Sequence, residues 1–323
     1  MDVTDHIVSR RRFLELAGLG GLAVVAAACT GSSPSPNPSR PTGGATSITA
    51  LKDGATTISM FQAQSELVAG QSLFTFGLAT NDGRPIAGGS PPVYAAKSQT
   101  AEALGPFTAT SYTMDAYRRY QDSAPVTDLT SFYAAKINIP STGTWFFATV
   151  VETNGQRAVG TAAMQAVATA SVAPIGSNAI STKTPVATTE AKLREICTRN
   201  PPDHMHAISL DAALKNGKPT VVTFATPLLC ESKVCGPVVD EVLSVHDSIG
   251  EDRANFIHVE EFLPGPDLKP PAPTAENQSP AFKAWHLQTE PWTFVIDAKG
   301  IIRARFEGPV VASQVEAALR PLL

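Results

Sequence analysis

Cysteine is scarce in this sequence, four among 323 residues, which excludes a small domain stapled by a dense disulfide framework. An excess of one charge is missing too. Lys and Arg number 25 against 29 Asp and Glu, and a net charge of -4 with no dense Lys/Arg stripe excludes a nucleic-acid surface. No uninterrupted apolar run reaches the ~20 residues that a membrane-spanning helix needs. What is present is a composition able to fold, with 43% hydrophobic and 17% charged residues, and a length sufficient for two domains of ordinary size. Generous Gly (23) and Pro (26) point to flexible segments between them.

The first residues read as an address and not as part of the fold. "SRRRFLEL" sets Arg10 and Arg11 shortly before Phe13 and Leu14, and the short apolar run "AGLGGLAVVAAAC" follows. The pattern resembles a twin-arginine export signal, and "AVVAAAC" resembles a lipobox, which implies cleavage before Cys29 and a lipid on its sulfur. Residues 1–28 are then the signal, and residues 29–45, rich in Ser, Pro and Gly, a flexible tether. The resemblance implies a lipid-anchored protein at the outer face of the cytoplasmic membrane, in a compartment where disulfides persist. Three cysteines remain for that chemistry, Cys197, Cys230 and Cys235, so at most two pair within the chain.

Residues 46–167 carry short runs rich in β-branched and aromatic residues, among them "TTISMF", "SLFTFGLAT", "FYAAKINIP" and "TWFFATVVET". Turn signals at Asn81–Pro85 and Thr153–Arg157 separate them, where glycine supplies a positive φ. The spacing predicts an all-β, immunoglobulin-like sandwich without catalytic constellation, serving as spacer or docking module. "MDAYRRYQDS", Met114–Ser123, reads as a solvated insert between its strands. Residues 168–189 are small and proline-rich, as in a linker.

From residue 190 to 323 the periodicity changes to alternating helices and strands. "LDAALKNG" is a short helix, "KPTVVTFAT" a buried strand, and "PVVDEVLSVHDSIG" a helix with Val238, Val242, Val245 and Ile249 on one stripe. "ANFIHVEEF" is a strand, "SPAFKAWHL" a helix, "PWTFVIDAKGIIRARFEG" a hairpin, and "ASQVEAALRPLL" a closing helix. This order requires an α/β sheet of mixed direction with helices on both faces. At its first strand stands "TPLLCESKVCGPVVDEV", with Cys230 and Cys235 in C-x4-C spacing. Two cysteines five positions apart on a regular helix have Cα atoms roughly 8.6 Å apart, beyond the ~7 Å that a disulfide tolerates. A bridge therefore needs the helix to begin after Cys235, where "GP" suits a helix start.

The strand running into the cysteines, the helix beginning "GPVVDEV" and the segment "TEPWTFVIDAKGIIRARFEG" resemble the thioredoxin fold. The resemblance implies a cis Pro291 facing the cysteines, with Cys230 as attacking sulfur, Cys235 resolving, and Pro291 holding the substrate strand. It implies thiol-disulfide exchange or electron transfer with extracytoplasmic protein thiols or a membrane electron donor, and no cofactor. The chain departs from the family at two points: the spacing is C-x4-C where C-x2-C is usual, and Thr223 stands where a buried acid is expected. Two alternatives stay open, a silent binding module with a structural disulfide and a Sco-like copper-handling protein using Cys230, Cys235 and a histidine. His204, His206, His246, His258 and His286 are the candidates, and His286, just before Pro291, is the best placed. Cys197 is a possible additional thiol, able to compete for either member of the pair or to sit buried and inert.

Overall fold

The computed structural model describes residues 46–116, 131–230, 233–263 and 274–323. Arg10, Arg11, Cys29 and the tether lie outside the described residues, as do residues 117–123 of the "MDAYRRYQDS" stretch. No helix among the described residues is long and apolar enough to cross a membrane. Residues 45–323 form one compact unit.

Among the described residues its N-terminal part is β, apart from a one-turn helix α1 (Ile48–Lys52). The strands are β1 (Thr56–Gln62), β2 (Leu67–Val68), β3 (Gly70–Ala79), β4 (Pro92–Ala96), β5 (Leu104–Thr113), β6 (Ser131–Ile139), β7 (Gly143–Thr153) and β8 (Gln156–Val167). Alternating burial along β6 and β7 places Tyr133, Ile137, Trp145 and Phe147 in one core with Phe74 and Phe76. Asn154 and Gly155, both at positive φ, make the tight β7–β8 hairpin that "TNGQR" predicts. The sheet differs from the expected pair of separate layers. Its strands run β1-β3-β6-β5-β4-β7-β8-β2, and β1 also pairs parallel to β8, so the ladder is barrel-like and nearly seamless. The β4–β5 ladder joins the halves on one side and β1 on the other, which leaves few unpaired edges.

The C-terminal part opens with α2 (Glu190–Ile196) and α3 (Leu210–Ala213). Strands β9 (Thr220–Phe224), β10 (Asn255–Val259), β11 (Trp292–Ile296) and β12 (Ile302–Glu307) form a sheet in the order β10-β9-β11-β12. Strand β10 is parallel to β9, whereas β11 is antiparallel to β9 and to β12. Helices α4 (Cys235–Ile249), α5 (Pro280–Ala284) and α6 (Ala312–Leu319) complete it. Strands β9, β10 and β11 are buried at every position, as continuous apolar runs require when both faces are covered. Strand order and directions are those of a thioredoxin-like fold.

Parts of the segments read from sequence as a linker and as a solvated insert are packed. Residues 176–179 hydrogen-bond along the edge of the β11–β12 hairpin, with Gly176 N donating to Ile302 O at 2.8 Å and Ile302 N to Ser177 O at 3.0 Å. Met114 and Ala116, expected in a solvated insert, are buried against α4, and the Glu241 carboxylate there accepts from Ala116 N and Ala312 N, both at 2.8 Å. The β part is docked elsewhere too, through the Arg305–Glu66 ion pair and through Glu307, which accepts from Ser65 N at 2.7 Å. Gly308 lies so close to the Ala63 carbonyl that a side chain there would collide with it.

Candidate functional site

The site forms where β9 ends. A turn follows, with Cys230 N donating to Thr226 O at 3.0 Å, and Cys230 is bridged to Cys235 with the Cα atoms 6.0 Å apart. This is well inside the disulfide limit of about 7 Å, because only one of the two cysteines is helical. The helix begins at Cys235 itself, earlier than the sequence requires, and Pro237 lies in its first turn, where a missing N–H costs nothing. Cys235 N points at Cys230 Sγ, 3.4 Å away. A thiolate on Cys230 would therefore sit at the positive end of the helix dipole. Cys235 is fully buried, while Cys230 is half-buried, so an approaching thiol meets Cys230 first.

The Glu290–Pro291 bond is cis, and Trp292 begins β11 directly beyond it. The third group at the cysteines is Glu290. One of its carboxylate oxygens comes within 4.8 Å of both sulfurs. Burial, and then the neighbouring Glu261 charge, push its carboxyl up to about 8. Its Oε2 is buried with no hydrogen-bond partner. A carboxyl in this state holds its proton at neutral pH and can give it to a departing thiolate or take one from an attacking thiol. Sequence reasoning looked for such an acid at Thr223, whose hydroxyl instead meets that of Thr293 at 3.2 Å. The signal for Glu290 was its position immediately before Pro291.

His286 does not join this group. It is exposed, in a left-handed turn at φ 56, and it is absent from the set of ligating atoms around the two sulfurs, where Glu290 stands instead.

Cys197 is free and buried. It pairs with neither of the other cysteines, since it caps the end of α2 and faces Asp203 and His258. Asp203 Oδ2 lies 2.8 Å from His258 Nδ1, and His258 Nε2 lies 2.9 Å from Ala225 O. Burial would lower the His258 imidazolium, but the Asp203 charge overrides it and holds it well above the usual histidine range. Burial, with Asp203 beside it, pushes the Cys197 thiol up to about 11, so this sulfur is a poor nucleophile. Next to it, Thr198 N donates to Glu260 at 2.6 Å, and the Thr198 hydroxyl accepts from Leu228 N at 3.2 Å. Burial raises Glu260 to about 7.

Fold and site together define a thioredoxin-like domain with a cysteine pair at the N-terminus of its first long helix, and with Glu290, the residue before a cis proline, beside the pair. No family model matches the chain, and no curated protein does. Among solved structures it is similar to a secreted thiol-disulfide isomerase from Corynebacterium glutamicum, at 14% identity and TM-score 0.29, over 36% of this chain and 75% of that one. It is also similar to a thioredoxin-family thiol:disulfide interchange protein from Chlorobium tepidum, at 18% identity and TM-score 0.28, over 45% of this chain and 99% of that one.

Proposed function

We propose that the chain is a thiol-disulfide exchange protein working through Cys230 and Cys235. The observation that carries this reading is the pairing of a half-open disulfide with a buried, proton-holding carboxyl at Glu290. A structural bridge needs no acid beside it. In the forward step a partner thiolate attacks Cys230 Sγ, a mixed disulfide forms, the Cys230–Cys235 bond breaks, and the Cys235 thiolate takes the Glu290 proton. A second partner thiolate then attacks the partner's sulfur in the mixed disulfide and releases the Cys230 thiolate. The partner leaves with a new disulfide, and this chain keeps two reduced sulfurs; the reverse sequence reduces a partner instead.

An export signal at Arg10 and Arg11 with a lipid on Cys29 would put this chemistry at the outer face of the membrane, acting on extracytoplasmic protein thiols or fed by a membrane electron donor. The β part would serve as spacer or docking module. The strand groupings β1-β3-β6-β5 and β4-β7-β8 support an immunoglobulin-like reading of it, since they follow the two-sheet order of that fold. Copper handling has less support, because the third group at the sulfurs is a hard carboxylate oxygen and not an imidazole.

The test is to equilibrate the full chain in thiol-disulfide buffers of graded potential, quench by alkylation and count the modified cysteines by mass. Cys230 and Cys235 should open together as a two-electron couple at a potential above about -300 mV, and Cys235→Ser should trap a mixed disulfide on Cys230. A bridge that stays closed below that potential and traps no partner would assign it to structure alone.

A further inference from the structure

We propose that Cys197, Asp203, His206 and His258 form a buried zinc site with four protein ligands, which fastens residues 197–206 to the edge of β10. One thiolate, one carboxylate and two imidazoles are ligand types that zinc takes, and four protein donors make a closed, structural site. The four donor atoms all lie within 4.8 Å of one another. A zinc tetrahedron with arms of 2.0–2.3 Å has edges of roughly 3.3–3.8 Å. Around Asp203 Oδ2 the edges bracket that range: Cys197 Sγ to Asp203 Oδ2 is 3.2 Å, Cys197 Sγ to His258 Nδ1 3.8 Å and Asp203 Oδ2 to His258 Nδ1 2.8 Å, while His206 Nε2 lies 3.5 Å from the other carboxylate oxygen, Asp203 Oδ1. An ion at the centre needs the nearest pair, at 2.8 Å, to open by about half an ångström, and no pair to close by more than about 1 Å, since none exceeds 4.8 Å.

Two further observations point to a ligand. His206, 2% exposed, turns a buried Nε2 toward the cluster without a hydrogen bond to satisfy it. The outer contacts are also those that orient metal ligands. His258 Nε2 faces the Ala225 carbonyl at 2.9 Å, which fixes the other nitrogen toward the cluster, and Asp203 Oδ1 accepts from Met205 N at 3.0 Å. Charge balances in both states. Without metal, the Asp203 carboxylate faces a His258 ring whose two nitrogens both meet acceptors and so both carry protons. Zinc replaces the His258 Nδ1 proton and the Cys197 thiol proton, and carboxylate plus thiolate then neutralise the divalent ion. Two protons leave, and no electrons move.

The site gives the odd cysteine a role outside disulfide chemistry. It also braces the loop before Cys230, because Thr198, adjacent to Cys197, holds Leu228 N.

The test uses the full chain with Cys29→Ser and with the Cys230–Cys235 bridge closed, so that Cys197 is the single free thiol. After removal of metal by a chelator, cobalt(II) is titrated in. The expected result is about one equivalent bound, with the strong visible bands of tetrahedral cobalt and a thiolate-to-cobalt charge-transfer band, about two protons released, and displacement by zinc. His206→Gln should weaken apparent zinc affinity by at least ~100-fold. Weak octahedral bands, no thiolate band, or equal binding by Cys197→Ser would overturn the proposal, and the cobalt titration of the unsubstituted site decides it even if a ligand variant fails to fold. A failed titration leaves the exchange reading untouched, since the bridge stays closed throughout.

Discussion

Two cysteine environments flank the C-terminal ends of the parallel strands β9 and β10, and they are built on opposite principles. At the Cys230–Cys235 bridge one sulfur is half-buried, a helix N-terminus faces it, and a neighbouring carboxyl has an oxygen without a partner. Around Cys197 every side chain is sealed, and the Asp203 charge is matched by His258 within hydrogen-bond distance. The open site keeps polar capacity unused and so can spend it on a reacting group. The sealed one turns its polar groups inward on one another, the unbonded His206 Nε2 included, and so contributes to holding the chain in place. Burial of the sulfur, more than its presence, separates chemistry from anchoring.

The sharpest way to break this contrast is at Cys230. Cys230→Ser removes the atom that an incoming thiolate reaches, so exchange with a dithiol peptide, followed by stopped-flow, should fall to background. Substantial residual exchange would mean that Cys197 or Cys235 is reachable and that the sealed environment is not sealed. Next in size is Asp203→Asn, measured with chelator present. It leaves the buried His258 cation without its counter-charge, and breaking one partner of a buried pair costs about 3–5 kcal/mol. Urea denaturation reads this directly; a loss under 1 kcal/mol would show that His258 is not charged there.

Glu290→Gln tests the open site more finely. General acid-base groups contribute about 10²–10⁴-fold, so bridge opening by a small thiol should slow by at least ~10²-fold below pH 8. The inflection expected near the Glu290 value of about 8 should vanish with it. Stability should respond with a definite sign. The folded carboxyl, at about 8, lies above its ordinary value of 4.5, so its contribution is fully present below pH 4.5 and is lost as pH rises through 8. The difference between wild type and Glu290→Gln should therefore move in favour of the variant across that window. A difference independent of pH would place Glu290 in solvent.

Much of the C-terminal architecture was legible because it is written locally. "KPTVVTFAT" and "ANFIHVEEF" are apolar runs of strand length between turn residues, and the Val238, Val242, Val245 and Ile249 stripe has one helical reading. The place of the bridge was legible for the same reason, as a question of where one helix begins. What escaped was written in distant pairs. Closure of the β part depends on β1 meeting β8 about a hundred residues later, and no local pattern records it. Glu290 escaped because its neighbours Thr226 and Glu261 come from other elements, so its place before Pro291 marks it as near the cysteines without announcing a raised carboxyl. The Cys197 cluster was half-visible: Cys-x5-Asp-x2-His is a compact ligand spacing in "CTRNPPDHMH", but the fourth member, His258, one of five candidate histidines, lies in a strand distant in sequence, and no local pattern joins it to the other three.

The smallest expected effect probes whether the bridge loop is determined locally, as the contrast between the two environments requires. Lys233 lies inside the C-x4-C loop, exposed, at φ 56, with its N–H donating to Cys230 O at 3.2 Å. A non-glycine residue in the left-handed region carries about 1–2 kcal/mol of strain from its Cβ. Lys233→Gly removes that strain but gives the unfolded chain more freedom, worth about 0.4–1 kcal/mol in the opposite direction. The net should be a gain of up to about 1 kcal/mol in urea denaturation, with the exchange rate unchanged within about threefold, since the backbone that sets Cys230 beside Cys235 already has this shape. A loss beyond about 2 kcal/mol would mean that the lysine side chain itself holds the loop. The open environment would then depend on specific partners as fully as the sealed one does, and the two would differ in exposure without differing in construction.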